Sequence, residues 1–268
     1  MRKRLPMLRQ TISRVVLIVL FFFLSFLVGC QPCPFQKQIN AKVAEVIDGD
    51  TIELADGRLV RYIGIDTPEL SERIGEDWIE KNEPFAQSAK LLNEELVKAK
   101  TVRLEFDRER TDKYGRLLAY CFVDNTFVNE IILEQGFALL YLIAPNIKYS
   151  EILVAAQGKA RDNNRGLWQE ELFLRAEEAH RFIGNIATVE GEVLDVVKSR
   201  KVIYLNFDRD YRTDFTVVIF QGDLSTFLAA GISPERYKGR VIRVFGKIKE
   251  YNGPEIVVGH PSQIEIIR

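Results

Sequence analysis

Histidine is nearly missing: the 268 residues hold two, His180 and His260, both in the second half. A histidine acid–base pair or a histidine-rich zinc site is thereby excluded from the first half. Proton transfer or metal binding there must rest on carboxylates, arginines and a hard cation. A basic excess is missing too. Lys plus Arg number 37 against 38 Asp plus Glu, a formal net charge of −1, which argues against simple coating of a polyanion. It leaves room for acidic groups that hold a metal. The three cysteines spell no disulfide framework. Cys121, inside the apolar run Leu117–Val123, reads as a buried free thiol, with a Cys33–Cys121 bridge as the alternative. No low-complexity tract or sequence repeat occurs, and 47% hydrophobic with 28% charged residues excludes wholesale disorder.

What is present begins with a separate N-terminal segment. Arg2, Lys3, Arg4, Arg9 and Arg14 precede an apolar run from Val15 to Phe23 that continues to Val28. A charged stretch followed by an apolar one this short fits a signal peptide better than a membrane span of roughly 20 residues. The segment ends in Leu27-Val28-Gly29-Cys30, which resembles a bacterial lipobox. The expectation is a lipoprotein signal peptide over 1–29, lipidation of Cys30, and a tether over 30–38. The rest would be held by acyl chains on the extracytoplasmic face of the cell membrane. An uncleaved signal anchor is the alternative, with the same sidedness. Without the first 29 residues, Lys plus Arg falls to 32 against 38 acids, a net charge of −6.

From Ile39 onward, apolar and polar residues alternate as in half-buried strands. The candidates are Ala41–Ile47, Thr51–Ala55, Leu59–Ile65, Thr101–Phe106 and Leu117–Val123, with Asp56-Gly57 as a hairpin turn. A helix opens at Pro84 with Phe85, Ala89, Leu92 and Leu96 on one stripe, another covers Phe127–Gln135, and a third covers Glu151–Asp162. Five short strands and three helices predict a mainly β, α+β fold: an OB-type barrel over 39–168. A helical connector is expected over 169–185. Three strands, a helix and two or three further strands over 186–268 predict a second, OB-like β-barrel.

Three turn regions of the first barrel carry the chemistry: Asp48-Gly49-Asp50-Thr51, then Arg61 through Asp66-Thr67-Pro68-Glu69, then Thr111-Asp112-Lys113-Tyr114-Gly115-Arg116. Each alone reads equally as a plain turn or helix start. Together, in this order and spacing, they resemble the thermonuclease (staphylococcal-nuclease-like) family. The likeness runs from about Val43 to Arg165-Gly166-Leu167-Trp168. It implies Ca2+ held by Asp50, Asp66 and the carbonyl of Thr67, a water held by Glu69 as general base, and phosphate clamped by Arg61 and Arg116. Lys113 and Tyr114 match positions that contact a terminal phosphate, and Tyr141 is a base-stacking candidate. The implied reaction is hydrolysis of DNA and RNA, single strands favoured, by cleavage of the 5′ P–O bond to leave 3′-phosphates. For Asp48 a structural role is expected. The loop Leu70–Glu83, longer than in well-known members, carries Glu72, Glu76, Asp77, Glu80 and Glu83, which would repel a phosphate backbone.

Residues 186–268 carry 12 basic and 11 acidic side chains. Tyr204, Phe207, Tyr211, Phe215 and Tyr251, near Lys198, Arg200, Lys201, Arg209 and Arg212, form a candidate single-strand surface. Solvated charges over a core of aromatics are the alternative. Lys247–Ile256 resembles the β4–β5 hairpin of nucleic-acid-binding OB domains. No protein partner is inferred. The rival to a metal-dependent endo/exonuclease is a catalytically inactive nucleic-acid-binding lipoprotein, but such a module has no need of paired carboxylates.

Overall fold

The expected strands form because their apolar positions recur every second residue and meet inside a closed sheet. The computed structural model describes residues 37–268 other than 75, 76, 82, 170, 171 and 211–213. The signal segment, most of the tether and Cys30 therefore lie outside the described residues, as do Tyr211 and Arg212. In chain order the first half holds β1 (Gln38–Val46), β2 (Thr51–Leu54) and β3 (Leu59–Tyr62), then β4 (Gly64–Asp66), β5 (Ser71–Ile74) and β6 (Asp77–Glu80). Helix α1 (Ala86–Val97), β7 (Thr101–Glu105), β8 (Leu117–Val123), β9 (Thr126–Phe127), α2 (Val128–Glu134), β10 (Leu139–Tyr141) and α3 (Ser150–Asp162) follow. Strand order β3-β2-β1-β7-β8 closes through a parallel β3–β8 pairing, so the five strands make a complete barrel. Val43, Ile52, Leu54, Val60, Tyr62, Val102 and Leu104 fill its interior.

Four differences from the sequence reading have physical causes. The single strand expected over Leu59–Ile65 breaks in two. Gly64 turns the chain at φ +85°, and Leu153 Cδ1 sits 2.4 Å from where a Cβ would be, so only glycine fits. Beyond the break, β4 leaves the barrel and pairs with β10, a three-residue strand that local periodicity did not reveal. The acidic segment Leu70–Glu83 is not a plain loop but contains the antiparallel β5–β6 hairpin. In α1, Phe85 is no helical residue: it stands at φ 67° as the N-cap, and the buried face is Ala86, Ala89, Asn93 and Val97.

The connector differs as well. The segment 169–185 is not one helix. Phe173–Arg175 forms β11, which pairs parallel with the next strand, and Ala176–Phe182 is a 3₁₀ helix. Of the apolar residues that read as a helical stripe, Leu172, Ala176 and Ala179 instead join the second core, together with Leu174, while Ile183 is exposed.

The second half holds β12 (Ile186–Glu192), β13 (Asp195–Lys198), β14 (Val202–Asn206), β15 (Thr216–Phe220), α4 (Leu224–Ala229), β16 (Val241–Lys247), β17 (Lys249–Glu250), β18 (Pro254–Val257) and β19 (Ile264–Ile266). A four-stranded sheet, β11-β12-β16-β19, and a five-stranded sheet, β13-β14-β15-β18-β17, enclose one core. Phe207 and Phe215 belong to it, with rings 5.0 Å apart, and are unavailable for base stacking. A third apolar cluster, Leu139, Ala160, Trp168 and Phe245, joins the two halves, with the Trp168 and Phe245 rings stacked at 3.8 Å. Residues 38–268 accordingly form one compact unit.

Candidate active site

The site assembles where the β1–β2 turn, the β4 exit and the β7–β8 turn meet. In the first of these, Asp48 Oδ1 accepts the Asp50 N–H at 2.9 Å, a local closure that aspartate supplies readily. Burial pushes the Asp48 carboxyl above its ordinary range, with the Arg61 charge opposing. From the neighbouring helix, Asn93 Nδ2 donates to the Asp48 carbonyl at 3.0 Å and Asn93 Oδ1 accepts the Tyr62 hydroxyl at 3.0 Å. Gly49 leaves no room for a side chain, since a Cβ would fall 2.6 Å from Ala89 Cβ and 2.7 Å from Thr67 Cγ2. The turn is thus wedged between α1 and the Thr67 loop.

Asp50 is 4% exposed and engages both flanking motifs. Its Oδ2 accepts the Thr67 N–H at 2.8 Å and pairs with Arg61 Nη1, and its Oδ1 accepts the Thr51 hydroxyl at 3.1 Å. The β2–β3 register sets Thr51 opposite Arg61, which brings that guanidinium beside Asp50. Arg61 Nη2 reaches Asp66 Oδ1 at 2.6 Å. One arginine therefore spans both carboxylates. Taking it away would leave the buried Asp50 carboxylate without its ion-pair partner, and breaking a buried pair costs about 3–5 kcal/mol.

Glu69 stands a few residues beyond. Burial pushes its carboxyl up to about 7, aided by the Asp48 and Asp66 charges, while Arg61 pulls the other way. Its N–H donates to Glu83 Oε2 at 3.0 Å. The Glu83 carboxylate expected to repel a phosphate is partnered by Lys247, though its charge still acts on Glu69. Burial works to raise the Glu83 carboxyl, but Lys247 Nζ at 2.5 Å and the Glu69 N–H hold it below its usual range. The side chains of Glu72, Glu76 and Asp77 lie outside the described residues.

Across the cleft, Asp112 shapes the third turn. It accepts the N–H groups of Tyr114 and Arg116 at 2.9 and 3.0 Å, and Arg116 Nε at 2.7 Å. With Nε committed, the terminal nitrogens of Arg116 remain for the cleft it lines. Lys113 and Tyr114 are not in that lining. They stand at the turn tip, Tyr114 being 72% exposed, with Lys113 Nζ 4.9 Å and Arg116 Cζ 5.6 Å from its ring centre. Tyr141, on β10, does line the cleft beside Arg61, Asp66, Thr67 and Glu69. Cys121 is a free thiol inside the barrel, pushed up to about 12 by burial and therefore unreactive.

Whether this acid set suits a metal can be judged from its donors. Asp48, Asp50, Asp66 and Glu69 cluster around Arg61, and burial raises the Asp48 and Glu69 carboxyls. The donors are all oxygen, which suits a hard cation and not zinc. Among the described residues no three His, Cys, Asp or Glu side chains form a cage. A cation here would complete its shell from backbone carbonyls and water, as calcium tolerates.

Three residues take positioning roles that the sequence did not suggest: Asn93, Asp112, which stood only as part of its turn, and Glu83, which stood only as a repelling acid. Asn93 carried one available signal, an amide in the otherwise apolar face of α1.

A closed five-stranded barrel with three helices, carrying a carboxylate–arginine cleft at one end, defines the class. The model of the family described as staphylococcal nuclease homologue matches residues 59–170. Thermonuclease of Staphylococcus hyicus is 30% identical over 175 residues, 60% of this chain and 99% of that protein. The chain belongs to the staphylococcal nuclease homologue family. Endonuclease YncB of Bacillus subtilis (strain 168) is 36% identical over 140 residues, 50% of this chain and 64% of its own, so under two thirds of that relative is spanned. Thermonuclease of Staphylococcus intermedius is 35% identical over 133 residues, 47% of this chain and 74% of its own. The family model ends at 170, before the second core.

Proposed function

We propose that the protein is a calcium-dependent nuclease that hydrolyses phosphodiester bonds in DNA and RNA, favouring single strands. The observation that carries this reading is the convergence of three separate segments: Arg61, Asp66, Glu69 and Arg116 line one cleft, and the buried Asp50 pairs with Arg61. Asp50, Asp66 and the Thr67 carbonyl would hold calcium, which when bound supplies Lewis-acid polarisation of a phosphoryl oxygen. Glu69 takes a proton from the attacking water. Arg61 and Arg116 face the charge that builds on the phosphoryl oxygens, where guanidinium forks match the geometry. The P–O5′ bond breaks, leaving a 3′-phosphate and a 5′-hydroxyl. Lys113, Tyr114 and Tyr141 contribute substrate contacts, and we read the second two-sheet body as OB-like.

The test is hydrolysis of single-stranded DNA by the protein with calcium, magnesium or chelator. Activity in calcium alone is expected, and Arg116→Ala should lower kcat by on the order of 10²–10³, the cost of losing one transition-state donor. Activity that persists in chelator, or survives Arg116→Ala, would overturn the mechanism. Strand binding without hydrolysis under any metal would favour the inactive binding protein. The lipobox reading places this chemistry on the extracytoplasmic membrane surface, anchored by acyl chains worth ~0.8 kcal/mol per buried CH₂. Cys30→Ala should accumulate unprocessed precursor, whereas normal processing and membrane retention of that variant would dismiss the anchor.

A further inference from the structure

The cleft is not built by the first barrel alone. It encloses about 530 Å³, and one wall is the β16–β17 corner of the second body, Lys247 through Glu250. Lys247 ties that wall down: its Nζ meets Glu83 Oε1 at 2.5 Å, and the other oxygen of the same carboxylate accepts the Glu69 N–H at 3.0 Å. The wall is thus fastened to the backbone of the proposed base. Lys249 is placed differently. It is exposed, and its Nζ lies 5.6 Å from the ring centre of Tyr141. Tyr141 in turn pairs with Gly64 on β4, the strand that ends at Asp66. Glu255 is opposite Lys249 across β17–β18, and Glu250 lines the same wall, so the local field is mixed.

We infer that Lys249 and Tyr141 together form a nucleotide subsite beside the scissile phosphate, and that the second body thereby makes the cleft selective for single strands. The inference rests on the nuclease reading above and adds a residue from outside the matched family region. An ammonium opposite an aromatic face is a matched pair for one nucleotide: the point charge takes a phosphate and the ring takes an unstacked base. The wall supplies the selectivity. A single strand can splay a base into a cleft bounded on two sides, while a duplex keeps its bases stacked and paired between two backbones.

The experiment compares Lys249→Ala, Lys249→Arg and Lys238→Ala in the full-length chain. Lys238 is an exposed lysine of the second body that pairs with Asp195 and does not line the cleft. KM and kcat are measured on a short single-stranded oligonucleotide in calcium. Binding of the same strand is followed by fluorescence anisotropy between 50 and 200 mM salt, on a Glu69→Gln background so that the strand persists. Lys249→Ala should raise KM by roughly 3- to 10-fold, well beyond any change in kcat, and reduce the salt slope by about 0.7, one phosphate contact on a single strand. Lys249→Arg should recover most of both, and Lys238→Ala should match the parent. Wild-type turnover with KM and slope unmoved by Lys249→Ala, or moved equally by Lys238→Ala, would overturn this subsite and leave the nuclease reading intact. Strand binding that depends on Lys249 in a protein that never cleaves would keep the subsite and remove the nuclease.

Discussion

Glu69 concentrates the tension of the site in one side chain. Its carboxyl sits among Asp48, Asp66 and Arg61, and burial is the largest reason it is raised to about 7. A carboxyl so placed is half protonated near neutrality, which suits the proton abstraction proposed for it. The sign follows directly: protonation as pH falls removes the base, so kcat/KM should decline on the acid side with a midpoint near 7 at low calcium. A bound dication favours the carboxylate, so saturating calcium should move that limb to lower pH. Glu69→Gln should lose most activity, retain calcium and strand binding, and lack the limb. A limb at the same pH in the glutamine variant's residual activity, or one that ignores calcium, would assign it elsewhere. Asp50, Arg61, Asp66, Thr67, Glu69 and Arg116 could be singled out as candidates because each sits in a short contiguous motif and the three motifs together resemble one family. Lys249 was not legible as part of the site, since it reaches the cleft only through the packing of a second core.

At the scale of elements, what could be read was what is periodic. The barrel strands and the three helices appear near their expected bounds because alternation and helical stripes report burial directly. The three-residue β10 and the β11 strand inside the connector could not be read that way, because each is defined by a distant partner, β4 and β12. The face of α1 shows a further limit. Its stripe holds Asn93, whose amide is spent on Asp48 and Tyr62, so the helix serves as scaffold for the acidic turn. Gly49 tests that role. Gly49→Ala would drive a methyl into Ala89 and Thr67, and overpacking of this kind costs about 1–3 kcal/mol. Because Thr67 is one of the two neighbours that meet the methyl, calcium affinity should fall with stability. Gly158→Ala, in α3 with open space around it, should be neutral or stabilising by about 0.5–1 kcal/mol. Urea unfolding and a calcium titration of both variants check this. A Gly49→Ala protein with unaltered stability and calcium response would show that the wedge plays no part.

On the scale of the whole molecule, the two halves meet through more than the Trp168–Phe245 stack. Asp223, at the start of α4, accepts the Ala144 N–H at 3.0 Å across the junction. Burial pushes this carboxyl up to about 6, with the Ala144 hydrogen bond opposing. The consequence for stability has a definite sign. A carboxyl whose native value lies above its ordinary 3.8 binds protons more tightly folded than unfolded. Between about pH 4 and 6 the native state holds the extra proton, so this group's contribution falls as pH rises through that window and is flat above it. Some water access at the junction discounts the shift, leaving a penalty on the order of 1–3 kcal/mol at neutral pH. Asp223→Asn keeps an oxygen for the Ala144 N–H and removes the charge. The variant should match wild type near pH 4 and exceed it at pH 7.5, as read by urea denaturation at both pH values. Since the shared cluster binds both cores into one unit, each curve should show a single transition. An equal stability difference at the two pH values would mean that the Asp223 carboxylate finds compensation in the folded protein. Two separate transitions would mean that the junction is too weak to couple the halves, and the wall that Lys249 presents to the cleft would then not be held in place.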